Sequence, residues 1–347
     1  MALDLELLAQ RRRYVDPIAG IAEEFIQPEF GGSPTVGIVS RPLAGSSSVG
    51  FVLCHSFGIE QIHLSRFDSV MARTLAGAGV TVLRFHAPGY GDNHMTVDGT
   101  GLSLHLAAAT DAVRWLARQD GITRVGSMGA RVGGTVAALV ADREQLPLLA
   151  VWDPVVSGAQ YMRDFLRSQQ VHKMVLDAAG ERNGQASEDR SPGDRGGERG
   201  PGADVEARRQ LDAEGWAEIK GFPLSAATHR EFSSVDLAND LERFSGSALV
   251  VGLSRNSRMG GGPAKLVERL QALGARCSAE VLQDRASGQF GQHHHANLPG
   301  GAKVDIQFAL TRSVAELTMT WVQRHVRAER SEPDFRPNGS DNHGPVR

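Results

Sequence analysis

The chain has 347 residues, of which 41% are apolar, with 37 basic against 40 acidic side chains and a net charge of −3. Such a composition suits a globular protein that can bury one large α/β core with room for an insertion, and its near-neutral charge selects no partner class. No apolar run is long enough to span a bilayer, and the arginines at 11–13 follow the apolar N-terminal residues instead of preceding them, unlike a signal peptide. Cys54 and Cys277 are too few and too far apart for a disulfide framework or a zinc site, so a reducing cytoplasm is the expected compartment. The chain has no basic stripe interleaved with aromatics, and nucleic acid is not expected as a partner.

In chain order, Phe25-Ile26 and residues 36–39 read as an antiparallel pair across the turn residues 31–34. Residues 49–54 form a continuous apolar run, the pattern of a strand covered on both faces. Helical periodicity follows through Phe67, Val70, Met71 and Leu75, and Gly77 and Gly79 stop it. The unit then repeats: strand 80–85, helix 102–118, strand 122–126, helix 132–140, strand 148–152. After a break come strand 247–252, helix 264–273, strand 277–282 and a helix over about 309–326. Alternation of this kind with short connections predicts a mostly parallel, doubly wound sheet. Residues 179–202 carry no large apolar side chain and are expected to be disordered within a cap region at 169–240. The expected organisation is therefore an N-terminal segment 1–23, a core in two parts at 24–168 and 241–326 around that cap, and a fraying tail at 327–347.

Three loops stand at carboxyl ends of successive strands. Cys54-His-Ser-Phe-Gly58 follows the first buried strand, and Arg84-Phe-His-Ala-Pro-Gly-Tyr-Gly-Asp-Asn93 follows the next. The third, within Arg124-Val-Gly-Ser-Met-Gly-Ala-Arg-Val-Gly-Gly134, places small residues between a strand and an apolar helix, which is the build of a nucleophile elbow. Two registers fit. With Ser127 at the tip, Gly129 lies two residues on but Val125 crowds the other flank; with Arg131 at the tip, Gly129 and Gly133 flank it evenly. The first register supplies a nucleophile. The second supplies a guanidinium, which is always protonated and cannot attack a carbonyl, but which offers a fork to a carboxylate or phosphate.

These loops, in this order, resemble the α/β-hydrolase superfamily across most of residues 24–326. About forty residues resemble more closely the hydrolases associated with the exosortase A system and related serine-aminopeptidase-like proteins: Gly129-Ala-Arg-Val-Gly-Gly-Thr-Val-Ala137, Leu149-Ala-Val-Trp-Asp-Pro-Val-Val-Ser-Gly158 and Tyr161-Met-Arg-Asp-Phe-Leu-Arg167. The resemblance implies an α/β-hydrolase fold with a cap-region insertion and a serine-type enzyme for a carboxylic ester or thioester, needing no cofactor or metal. Its partner would be a small acyl substrate. Ser127 would be the nucleophile, and backbone donors near Ser56, Phe57 and Met128 would form the oxyanion hole, with His55 and Arg131 facing the ligand. The strand at 247–252 is followed by no carboxylate, so Asp153 is the candidate acid; it reads equally as the turn residue before Pro154. The base is expected among His293, His294 and His295, which also read as solvated loop residues. The alternative is a protein of the same fold without a working triad, binding an anionic ligand or a partner through Arg131.

Overall fold

A computed structural model of the protein describes residues 12–45, 48–168, 203–283, 295–297 and 303–331. The stretch 179–202, His293 and His294, and the tail beyond 331 lie outside these residues.

Among the described residues the core is one nine-stranded sheet in the order β1-β2-β5-β7-β6-β8-β9-β12-β13. Its strands are β1 (Arg13–Asp16), β2 (Ile21–Ile26), β5 (Gly37–Pro42), β6 (Val49–Cys54), β7 (Thr81–Phe85), β8 (Arg124–Ala130), β9 (Leu148–Trp152), β12 (Ser247–Ser254) and β13 (Arg276–Gln283), with β3 (Glu29–Phe30) and β4 (Ser33–Pro34) as a small separate hairpin. The pairs β1–β2, β2–β5 and β5–β7 are antiparallel, and every pair from β7 to β13 is parallel. The sheet thus begins ahead of residue 24. Its first strand is almost wholly exposed, so no apolar pattern marks it in the sequence.

Alternation along the buried strands loads two cores. Val49, Phe51 and Leu53 of β6, with Leu148, Ala150 and Trp152 of β9, meet α1 (Ile59–Gly77) and the C-terminal α8 (Ile306–Ser331). Val52, Cys54, Leu149 and Val151 meet α2 (Leu102–Ala117) and α3 (Val132–Arg143) on the other face, where α7 (Gly261–Ala272) also packs. Both faces are covered, as parallel strands require. α1 starts eight residues before Phe67, and α8 continues past 326, so both helices exceed their expected limits.

Between β9 and β12 the described residues form a helix over 158–168, within the expected core, and then, in the segment expected as a cap and so called below, α4 (Ala203–Glu214), the hairpin β10 (Trp216–Ile219) and β11 (Phe222–Ser225), α5 (Ala226–Ser233) and the short α6 (Leu237–Asp240). The Glu231 carboxylate of α5 accepts from the backbone N–H and hydroxyl of Ser103, each at 2.9 Å, which clamps the cap to the start of α2. β14 (His295–Asn297) pairs with β15 (Lys303–Asp305).

The connectivity fixes where a ligand can be held. β6 and β8 are neighbours, yet the chain leaves β6 for α1 on one face and β8 for α3 on the other. This is a topological switch point, and the crevice it opens beyond the carboxyl ends of the strands is where open α/β sheets bind ligands.

The C-terminal helix is tied to this end of the sheet by one buried hydrogen bond, Trp152 Nε1 donating to Thr318 Oγ1 at 2.9 Å. Replacing Thr318 with valine keeps the shape but orphans the indole N–H, an expected loss of about 1–3 kcal/mol. Urea unfolding of Thr318→Val measures it; an unchanged midpoint would mean the indole finds another acceptor.

Candidate active site

The elbow is built from backbone. β8 runs to Ala130, not Gly126, so the tip falls on Arg131, which caps α3 with φ 53° and ψ −124°. A side chain in this region costs about 1–3 kcal/mol and persists only where its surroundings enforce it. Here Arg131 N–H donates to the Trp152 carbonyl at 3.0 Å, and its own carbonyl accepts from Gly134 at 3.0 Å and from Thr135 and Val155 at 3.2 Å. The flanking glycines are sterically required: a Cβ on Gly129 would enter the Gly133 backbone, and one on Gly133 would enter the Cys54 carbonyl.

Ser127 is corrected by this register. It lies inside β8 with no exposed surface, and its Oγ donates to the Ala137 carbonyl at 2.8 Å, fastening strand to helix. Met128 is likewise fully buried in the ladder, paired with Leu53 and Ala150, so it is not the residue that follows the tip. That place belongs to Val132, whose N–H is among the helix-start amides that lack intrahelical acceptors.

At the tip, Arg131 is not an open fork. Its Nη1 donates to Asp153 Oδ2 at 2.8 Å and to the Asp153 carbonyl at 3.3 Å, and its Nε lies 3.5 Å from Glu60 Oε1. Burial works against the guanidinium's charge, but the attraction of Glu60 and then Asp153 prevails and raises its pKa. Asp153 holds φ 44° through its own N–H bond to the Val251 carbonyl at 2.7 Å. The sequence reading missed Glu60, the second residue of α1, whose Oε2 accepts from Ser56 Oγ at 3.0 Å. Arg131, Glu60 and Asp153 keep between 22% and 25% of their side-chain surface exposed. The buried Tyr161 phenol is held neutral by desolvation and by the Glu60 charge. Lys220, in the turn of the cap hairpin, feels that same charge, although burial lowers its pKa overall.

The oxyanion-loop residues diverge. Ser56 is 2% exposed and turned to Glu60, while Phe57 is buried among Phe165, Phe222 and Phe232 and ties the loop to the cap. His55, expected to face the ligand, is buried with Nδ1 3.1 Å from Asp68 Oδ2 of α1. The Gly58 N–H is taken by the Tyr90 hydroxyl at 2.7 Å, which gives the turn motif after β7 a bracing role. Cys54 is a buried strand thiol pushed up to about 12, first by desolvation and then by Asp68, and so is no nucleophile. His295 lies in β14, away from the main sheet's strand ladder, and His293 and His294 are outside the described residues. Among the described residues no group of three or more His, Cys, Asp or Glu side chains is arranged to hold a metal, and no helix is long and apolar enough to cross a membrane.

Gly133→Ala should cost about 3 kcal/mol or more, since rigid backbone cannot yield. Gly261→Ala, at an open helix start, should shift stability by at most about 1 kcal/mol; equal midpoints in denaturant would refute the steric account. Beside Tyr90, the buried His105 has its pKa pushed from 6.5 down to about 4, mainly by burial and then by His55. Because the unfolded chain binds this proton first, the stability it contributes is complete above pH 6.5 and drains away as pH falls towards 4. His105→Asn should flatten that slope in unfolding curves.

No family model matches the chain. It is similar to the esterase FrsA of Escherichia coli O81 (strain ED1a), 30% identical over 166 residues that make up 46% of this chain and 37% of that protein. The same esterase from Escherichia fergusonii matches to the same extent. The chain thus spans 37% of the length of these curated relatives. Among solved structures it is similar to Est1E from Butyrivibrio proteoclasticus with bound ferulic acid, with a TM-score of 0.54 at 14% identity over 86% of this chain and 99% of that one. The esterase of Pyrobaculum calidifontis gives 0.51 at 15% identity over 94% and 90%. Brefeldin A esterase, a bacterial homologue of human hormone-sensitive lipase, gives 0.51 at 15% identity over 90% and 79%. With the strand order and the elbow, these likenesses identify the architecture: the chain has the α/β-hydrolase fold.

Proposed function

We propose that the chain hydrolyses a small carboxylic ester, with thioesters as chemically allied substrates. One observation carries the reading: the strained turn at Arg131 seats the start of α3 against the 54–58 loop, at the switch point of the sheet. The N-terminus of α3 then aims its free amides and positive dipole end beyond the strands, where a tetrahedral oxyanion would form. The similarity to the FrsA esterases supports the same chemistry. Asp153, the candidate acid, is in contact with the tip, and His293, His294 and His295 follow β13 in the chain.

The rival reading, an anion or partner held by Arg131 in a protein without activity, is less favoured because the curated relatives are esterases. A closer kinship with the exosortase-associated hydrolases is supported by the Gly129-Ala-Arg-Val-Gly133 elbow and by Trp152-Asp-Pro154, whose aspartate meets the tip arginine. The free thiols Cys54 and Cys277 fit a reducing cytoplasm. The purified chain should turn over p-nitrophenyl acetate and butyrate above the buffer rate. Absence of turnover across short acyl esters and thioesters would remove the reading.

A further inference from the structure

We propose that hydrolysis at this site proceeds by direct attack of water, with Glu60 as the catalytic base and Arg131 as the group that steadies the oxyanion, and without an acyl-enzyme. The inference rests on the ester-hydrolase reading and names its chemistry.

The tip position, which would have to carry the attacking hydroxyl, carries a guanidinium. The serine of the elbow is sealed in the strand. A nucleophile must come from elsewhere, and the partly exposed charged groups in direct contact at the tip are two carboxylates and the guanidinium, a set suited to activating water. The two carboxylates are not equivalent. Asp153 is locked to the guanidinium through both its side chain and its carbonyl, so it orients Arg131. Glu60 meets Arg131 only at 3.5 Å, while Ser56 Oγ holds its other oxygen at 3.0 Å. Oε1 has only that long contact with the guanidinium and is the oxygen placed to take a water proton, with the serine fixing the plane of a carboxylate that the Tyr161 phenol also adjoins. The neutral, buried Tyr161 phenol cannot compete as a base.

In the first step Glu60 takes a proton from water as the water oxygen bonds to the carbonyl carbon of the ester. The carbonyl π electrons move to its oxygen, and that oxyanion is met by Arg131 and the helix-start amides. In the second step the oxyanion collapses, the bond from carbon to the alkoxy oxygen breaks, and the proton on Glu60 passes to the departing alkoxide. Ester and water give acid and alcohol, and both residues return to their starting state.

Three measurements on the full chain decide the matter, with p-nitrophenyl acetate as substrate and a fluorophosphonate as trap. Glu60→Gln, which is nearly isosteric, should lower kcat by about 100-fold or more, as loss of a general base does, with KM little changed. Glu60→Asp should recover part of the rate. Wild-type protein should give no pre-steady-state burst of nitrophenolate and no fluorophosphonate adduct by intact mass. A stoichiometric burst, or an adduct on any serine, overturns the direct-water route even if Glu60→Gln fails to fold. Full activity in Glu60→Gln overturns the assignment of the base. Either result would leave the ester-hydrolase reading standing, whereas a wild type that turns over no ester removes that reading and this mechanism together.

Discussion

The contact on which the rest depends is the approach of three backbones: the end of β8, the start of α3 and the loop leaving β6. They meet at Gly129 and Gly133 with no space for a methyl group, and the strand can turn into the helix there only through the conformation held by Arg131. Everything at the site inherits its position from this point. The Arg131 carbonyl, by accepting from Val155, draws in the chain after β9 and so brings Asp153 beside the guanidinium. The loop leaving β6 delivers Ser56, and four residues later α1 delivers Glu60.

The cap reads as the second support of the same loop. Phe57 is enclosed by rings from the helix over 158–168, from β11 and from α5, while Tyr90 stacks on Phe222 at 17° and uses its hydroxyl to occupy the Gly58 amide. Aromatic pairs of this kind add about 0.5–1.5 kcal/mol each beyond their area. The loop is therefore gripped from the sheet side by Gly133 and from the cap side by Phe57.

Much of this was legible in the sequence, and the reason differs residue by residue. Buried parallel strands such as Val49–Cys54 and Leu148–Trp152 declare themselves because both faces are apolar. The elbow register was legible in the glycine spacing, since close approach of backbones leaves its trace in the residues without side chains. The pull towards Ser127 came from local likeness of Ser-Met-Gly to an elbow, and it failed because the strand carries on to Ala130 and turns Ser127 inward. Glu60 left no such trace. Its importance comes from helix α1 starting at Ile59 and from an arginine 71 positions away, a relation that spacing within one loop does not encode. The first strand, exposed along its length, and the small cap hairpin escaped for the opposite reason: neither has an apolar rhythm distinct from a loop.

An elbow tipped by arginine separates two properties that usually travel together. The positive φ at the tip is enforced by hydrogen bonds to Trp152, Gly134, Thr135 and Val155, all of them backbone to backbone, so it is indifferent to the side chain displayed. The loops that announce this fold in a sequence are likewise backbone devices: they make tight turns and aim amides. On the proposed reading, those loops supply the electrostatic half of the site and say little about what attacks. In this chain the two halves have separate sources: the first comes from the glycines and the helix start, and the second, on the proposed route, from the carboxylates that the guanidinium gathers around itself.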